Sequence, residues 1–239
     1  MKAMIFAAGL GTRMKQLTQN QPKALVEVAG EPVIDRVLER VIAAGFTELI
    51  INVHHFAGQL TEHIKKLHLP ATVTFSHETQ EPLETGGGLW KVRNFFSGNE
   101  PFLLHNADIL TNLNLEALLH HHNKHQHLAT LAVRERKSSR KLLFTNQELL
   151  CGRWKEKTNT TDVRWGEPAL RYAFSGVHIL SPEIFALPVP GERFSIMEAY
   201  LDSCKEQPIG MFTHNQGYWF DIGSPEKWQQ ANTYLTTKK

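Results

Sequence analysis

The sequence predicts an α/β fold in which a mixed, mostly parallel sheet carries helices on both faces. Three observations predict it. Apolar runs of strand length alternate with amphipathic stretches of helical period. The first run, Ala3 to Ala8, breaks abruptly into the small-residue loop Gly9-Leu10-Gly11-Thr12. A later run, Pro101 to His105, ends in Asn106-Ala107-Asp108, which sets a carboxylate at the edge where open α/β sheets collect ligands.

The elements follow in order. Ala3 to Ala8 has the composition of a buried parallel strand. Pro32 suits a helix start and Gly45 a stop, with Val33, Val37, Leu38, Val41 and Ile42 on one face between them. Leu49 to Val53 is a second strand, followed by His54-His55, which either cap the strand end or meet a ligand. Gly58 to Leu67 is an amphipathic helix and Thr72 to Ser76 a third strand. Next comes Glu81-Pro82-Leu83-Glu84-Thr85-Gly86-Gly87-Gly88, then an apolar helix expected from Leu89 to Phe96. Consecutive glycines lose much conformational entropy on folding. Either a strained turn or close approach of the backbone to a planar base explains them.

Past Asp108, Leu113 to His127 reads as a helix carrying five histidines. His121 and His125 share a face, as a zinc pair would, but no third ligand completes a set, so a solvated face is expected. Ala129 to Val133 is a further strand. Residues 134–168 then shift to charged and Thr/Asn-rich composition, with a hairpin signature around Thr145-Asn146-Gln147-Glu148. This insertion in an otherwise single domain is expected to be a small β flap, with Trp154 and Trp165 either packing on a ligand or fastening the flap. Leu170 to Leu180 returns to strand, and Gly176 within it marks a bulge or a ligand's close approach. Ser195 to Cys204 is a helix bearing Glu198. Ile209 to Phe212 and Gly217 to Phe220 read as a final hairpin, leading through Asp221 to a closing helix that reaches about Tyr234.

Composition narrows the function. The 239 residues suffice for one good core, or a core and a small lobe. A net charge of +2 gives no reason to expect nucleic acid or an anionic membrane as partner. No run approaches about 18 apolar residues, and the N-terminus enters a strand without a cleavable signal pattern. The two cysteines, Cys151 and Cys204, suggest reduced thiols. The expectation is a cytoplasmic monomer or small homo-oligomer.

The glycine loop fits neither common phosphate fingerprint. Met14 stands where a dinucleotide loop needs its third glycine, and no Gly-Lys-Ser/Thr tripeptide occurs. What the loop does have is a pair of cations, Arg13 and, behind Pro22, Lys23. The whole string, Ala7-Ala8-Gly9-x-Gly11-Thr12-Arg13, then Leu17-Thr18, then Pro22-Lys23, resembles the signature of the sugar-phosphate nucleotidyltransferases. Glu81 to Gly88, Asn106 to Asp108 and Trp219 to Glu226 resemble further segments of that family. Ala107 stands where relatives carry glycine, and Gln16 and Ala24 where they often carry proline.

The resemblance implies a Rossmann-like nucleotide-diphospho-sugar transferase fold. It also implies a reaction in which the phosphate of a sugar 1-phosphate attacks the α-phosphorus of a nucleoside triphosphate and displaces pyrophosphate. It assigns Arg13 to the β/γ-phosphates and Lys23 to the α-phosphate. Ala8, Gly9, Gly11 and Thr12 would cradle the triphosphate, and Glu81 and Gly86 would meet the base. Asn106, Gly176 and Glu198 would meet the sugar, while Asp108 and Asp221 would hold Mg²⁺. An ionised Glu81 only accepts hydrogen bonds, which suits uracil, thymine or guanine better than cytosine or adenine. The string from Glu81 to Gly88 and the compact length look most like the N-acetylmuramate 1-phosphate uridylyltransferases of cell-wall recycling, with mannose 1-phosphate guanylyltransferases as near rivals. No hexapeptide period of an appended β-helix is present. A cytidylyltransferase for phosphocholine, and a silent nucleotide-sugar sensor on the same fold, are the other readings.

Overall fold

The computed structural model describes residues 1–238. The chain opens with β1 (Lys2–Phe6), whose Ala3, Met4 and Ile5 are wholly buried, as a strand covered on both faces requires. Two short strands, β2 (Glu27–Val28) and β3 (Glu31–Pro32), form an antiparallel ladder. They turn at Ala29-Gly30, both at positive φ, the geometry that matches the twist of a two-residue hairpin. Then come α1 (Val33–Ala43), β4 (Glu48–Val53), α2 (Ala57–Lys66) and β5 (Thr72–His77). Helix α1 buries Val33, Ile34, Val37, Leu38 and Val41 on one stripe, the period of a helix lying on a core.

The chain continues through α3 (Glu84–Lys91), β6 (Phe102–Asn106), β7 (Ile109–Thr111), α4 (Leu115–His125) and β8 (Ala129–Arg134). Next are β9 (Arg140–Phe144), β10 (Leu150–Lys155), β11 (Thr160–Val163) and β12 (Leu170–Leu180). It closes with α5 (Ile196–Ser203), β13 (Ile209–Thr213), β14 (Trp219–Asp221) and α6 (Pro225–Thr236). The α/β class with a mixed central sheet is the one the sequence predicts.

Two compact units divide the chain. The first comprises residues 1–82, 105–113 and those from 217 onward; the second comprises 83–104 and 114–216. In the first, β1 pairs in parallel with β4, and β4 with β5, placing Phe6 opposite Asn52 and Asn52 opposite Ser76. Strand β14 pairs antiparallel with β7, Asp221 opposite Ile109. Helix α6 starts at Ser224, whose hydroxyl caps the Lys227 amide. It is tied to the β2–β3 ladder by Trp228, whose indole donates to the Glu27 carbonyl at 2.7 Å. Asn232 accepts from the Ala29 amide at 2.8 Å.

In the second unit β8 lies between β12 (antiparallel) and β13 (parallel). Strands β12, β9, β10 and β11 continue antiparallel in that order. Residues 134–168 therefore carry three strands built onto β12, with β9 and β10 forming a hairpin about residues 145–148. Both tryptophans are fastened there. Trp165 donates to the Leu150 carbonyl at 2.8 Å, and the Arg171 guanidinium lies 5.0 Å over the Trp154 ring.

Three expectations are corrected. Ile209–Thr213 and Trp219–Asp221 do not pair with each other: β13 takes β8 and β14 takes β7, so the backbone partner of each lies far upstream. The glycines of Glu81 to Gly88 do not precede a helix but sit inside α3, which ends at Lys91 and is followed by a 3₁₀ turn at Arg93–Phe96. A Cβ on Gly86 would stand 2.3 Å from the Phe194 ring, and one on Gly87 2.1 Å from the Glu192 carbonyl. Their amides also donate to the Phe194 carbonyl at 2.9 and 3.2 Å. Close packing of the chain on itself thus accounts for both glycines. Gly86→Ala and Gly87→Ala are each expected to destabilise the protein by about 1–3 kcal/mol, read as a lower urea midpoint.

The third correction concerns the histidines. Helix α4 ends at His125, and His122 and His127 are buried, not solvated. His122 bridges the Thr130 and Ser181 hydroxyls at 2.9 and 3.0 Å. His121, His125 and His127 pack ring against ring, with centroids 4.3 to 6.0 Å apart. No set of three metal-ligating side chains with metal-site geometry occurs among the described residues.

Burial, then the neighbouring histidines, push His122 and His127 down to about 4 from the usual 6.5. Below about pH 6.5 the unfolded chain takes up protons that the folded one refuses, so stability falls as pH drops toward 4. The urea midpoint is expected to decline across that window, and more shallowly in His122→Gln. No helix among the described residues is long and apolar enough to cross a membrane.

Candidate active site

The first unit gathers four of the charged side chains singled out in the sequence. Their common platform is the carboxyl edge of β1 and the β7–β14 ladder. Beyond β1, Gly9, Leu10, Thr12 and Arg13 are exposed, and nothing lies within 4 Å of where a Gly9 Cβ would stand. The loop is open to solvent on that side. Gly11 needs to be glycine twice over. Its φ is +64°, and a Cβ there would press on the side chains of Lys23 and Thr18 at 3.2 Å. The Thr18 hydroxyl donates to the Gly11 carbonyl at 3.0 Å, holding the loop onto the 3₁₀ segment Thr12–Thr18. Buried Pro22 caps a second 3₁₀ turn, Lys23–Leu25, and so aims Lys23 back at the loop.

Lys23 forms an ion pair with Oδ2 of Asp108. Asp108 stands between β6 and β7, and the Ala107 amide before it donates to the Phe6 carbonyl at 3.0 Å. The Asp108 carbonyl in turn accepts from the Ile222 amide at 2.9 Å. Since Asp221 pairs with Ile109, the two aspartates stand at the same end of the two-stranded ladder, though over a hundred positions apart in the chain.

Asp221 is held by a residue the sequence reading missed. Lys227 Nζ lies 2.5 Å from Asp221 Oδ2, brought there because Ser224-Pro225 starts α6 and one helical turn returns position 227 toward the strand end. A serine-proline helix start three residues after an acidic strand end was the available signal. A Cβ on Gly223 would stand 2.5 Å from Asp221 Oδ1 and 3.3 Å from an Arg13 guanidinium nitrogen. Gly223 therefore leaves space that the Asp221 carboxylate and the Arg13 guanidinium both border. Three cations, Arg13, Lys23 and Lys227, thus stand among two carboxylates, an excess of positive charge suited to a polyphosphate.

The donor set fits Mg²⁺. That ion takes one or two carboxylates along with phosphate oxygens and water, and each ion pair uses only Oδ2 of its aspartate. Asn106 ends β6 in the same unit and Glu81 is exposed on the loop after β5. Gly86, Gly176 and Glu198 fall in the second unit. There Gly176 has φ +76° at the register shift between Phe174 and His178, so the bulge accounts for its identity. Glu198, on α5, forms an ion pair with Arg153, which also lies 3.3 Å from Asp162. Arg153 is thus engaged by carboxylates, and Arg193 lies 3.8 Å from Glu84.

A family model described as Nucleotidyl transferase matches residues 2–238. The chain is 43% identical over 109 residues to the N-acetylmuramate alpha-1-phosphate uridylyltransferase of Caulobacter vibrioides, which covers 44% of this chain and 45% of that protein. It is 30% identical over 240 residues to the protein of the same name from Neisseria meningitidis, covering 97% and 96%. It is 29% identical over 230 residues to mannose-1-phosphate guanyltransferase beta-B of Xenopus laevis, covering 95% of this chain but 62% of that one. The chain thus spans under two thirds of the guanyltransferase and under half of the Caulobacter protein in these matches. Among solved structures, HddC from Yersinia pseudotuberculosis complexed with GMP-PN superposes with a TM-score of 0.77 at 22% identity, covering 98% of this chain and 99% of that one.

Proposed function

The chain belongs to the sugar-phosphate nucleotidyltransferase family, and on that premise we propose that it joins a nucleoside triphosphate to a sugar 1-phosphate, most closely UTP with N-acetylmuramate 1-phosphate. The observation that carries the reading is the convergence of Arg13, Lys23, Asp108 and Asp221 on one ladder end beside the open glycine loop. The phosphate of the sugar is already an anion near neutral pH and needs no general base. A phosphate oxygen forms a bond to the α-phosphorus while the bond to pyrophosphate breaks. The protein's task is to cancel charge and align the two groups.

In this reading the exposed amides from Gly9 to Thr12 bind the triphosphate, Arg13 neutralises the departing pyrophosphate, and Lys23 faces the charge that builds on the α-phosphate. Mg²⁺ held by Asp108 and Asp221 would supply charge neutralisation at the phosphates. Lys23 and Lys227, each beside one of these aspartates, would bind phosphate oxygens. Glu81 would accept a hydrogen bond from the base edge.

The preference for UTP and an N-acetylmuramyl acceptor draws support from the two uridylyltransferase relatives, one alike over nearly its whole length. Mannose 1-phosphate with GTP is the second reading, because the guanyltransferase relative matches 95% of this chain. The test is pyrophosphate release with Mg²⁺, crossing UTP, dTTP, GTP, CTP and ATP with N-acetylmuramate, N-acetylglucosamine, glucose and mannose 1-phosphates and phosphocholine. Highest turnover is expected for UTP with N-acetylmuramate 1-phosphate. A preference for GTP with mannose 1-phosphate moves the substrate; binding without any turnover points to a sensor.

A further inference from the structure

The first unit buries a polar pair that the reaction itself does not call on. Asn52 and Glu78 are each 3% exposed, at the carboxyl ends of β4 and β5. Burying such groups costs free energy unless they are bonded, and both are. Asn52 Nδ2 donates to Glu78 Oε1 at 2.7 Å, and Asn52 Oδ1 accepts from the Ala7 amide at 2.8 Å. The Glu78 main chain is gripped as well. Its amide donates to the Val53 carbonyl at 2.8 Å, and the His54 ring lies with Nδ1 2.5 Å from its carbonyl. Since a carbonyl only accepts, Nδ1 is the protonated nitrogen of His54.

These bonds stitch together the ends of three parallel strands. Ala7 is the first residue past β1, two before Gly9 of the open loop; Glu78 is the first past β5, three before Glu81. A register set by the strands alone would leave each loop to choose its own exit. Asn52 reads both exits with one planar amide, whose acceptor fixes the start of the phosphate loop and whose donor fixes the start of the base loop.

We infer that Asn52 and Glu78 are positioning residues that hold the glycine loop and the Glu81 loop in a fixed relation, so that the phosphates and the base of one nucleotide are gripped together. The inference rests on the assignment of those two loops under the proposed function. Misplacement of a binding group by about 1 Å costs on the order of 100-fold, which sets the scale of the effect.

The test is steady-state kinetics of Asn52→Leu and Glu78→Gln, with UTP and the sugar 1-phosphate varied separately. Asn52→Leu keeps the branched outline and loses both bonds; Glu78→Gln keeps the acceptor oxygen. The expected result is a KM for UTP raised about 10- to 100-fold in Asn52→Leu, with the KM for the sugar 1-phosphate changed less than about 2-fold and Glu78→Gln close to wild type. Equal loss for both substrates, or an unchanged KM for UTP in a folded variant, overturns the inference. Should Asn52→Leu not fold, amide exchange in the wild-type protein decides. UTP is expected to slow exchange at Ala7 and Glu78 together, and exchange unaffected at both overturns the coupling. A wild-type protein that neither turns over nor binds any nucleotide defeats the functional reading instead, so the two failures are distinct.

Discussion

Lys23→Ala is expected to lower kcat by about 100- to 1,000-fold while leaving the protein folded. The lysine opens the 3₁₀ turn that follows Pro22, and its Cβ lies 3.2 Å from where a Cβ on Gly11 would stand. In the proposed reaction it faces charge that grows as the α-phosphorus is attacked, and loss of such a group appears in kcat more than in KM. Its ion pair with Asp108 is also lost, but the side chain of Asp108 is 29% exposed and water can solvate it, so stability changes little. Lys23→Arg is expected to recover only part of the rate, because a planar guanidinium cannot replace a compact ammonium in the same space. Stopped-flow measurement of pyrophosphate release, with a urea titration of the same samples, separates the two effects. An Ala variant with wild-type kcat would remove Lys23 from the mechanism.

The second large effect belongs to the aspartates. Asp108→Asn and Asp221→Asn are each expected to lower kcat/KM by about 100-fold or more, since carboxylate-held metal contributes several kcal/mol at a phosphoryl group and 1.36 kcal/mol corresponds to tenfold. They are expected to act as a unit, so that the double variant loses little beyond either single one. Their placement supports this, because the Asp108 carbonyl accepts from Ile222, the residue after Asp221. Raising Mg²⁺ should partly restore each single variant. Losses that simply multiply in the double variant, with no response to Mg²⁺, would separate the two carboxylates.

Much of this arrangement was legible in the sequence where local chemistry decides. The apolar period of Val33 to Val41 announced α1, and the Gly11-Arg13 loop after a buried run announced an open phosphate-sized turn. Asp108 and Asp221 were visible because each stands at a strand end. What escaped was decided by partners distant in the chain. Phe194 and Glu192 explain the glycines of α3, and no local pattern near Gly86 names them. Strands β13 and β14 look like a hairpin because they are close in sequence, yet their hydrogen bonds lie with β8 and β7. His122 reads as polar until Thr130 and Ser181 supply the partners that let it be buried. Asn52, in the middle of the run Leu49 to Val53, reads as a flaw in an apolar strand. The structure turns that flaw into a link between two loops.

The most direct test of the central claim is mass spectrometry of the products formed from UTP and N-acetylmuramate 1-phosphate with Mg²⁺. One UDP-linked sugar for each pyrophosphate released, formed about 100-fold or more slowly by Asp108→Asn and Lys23→Ala, is the predicted result. UTP recovered intact, or converted to UDP and phosphate with the sugar phosphate untouched, would contradict it.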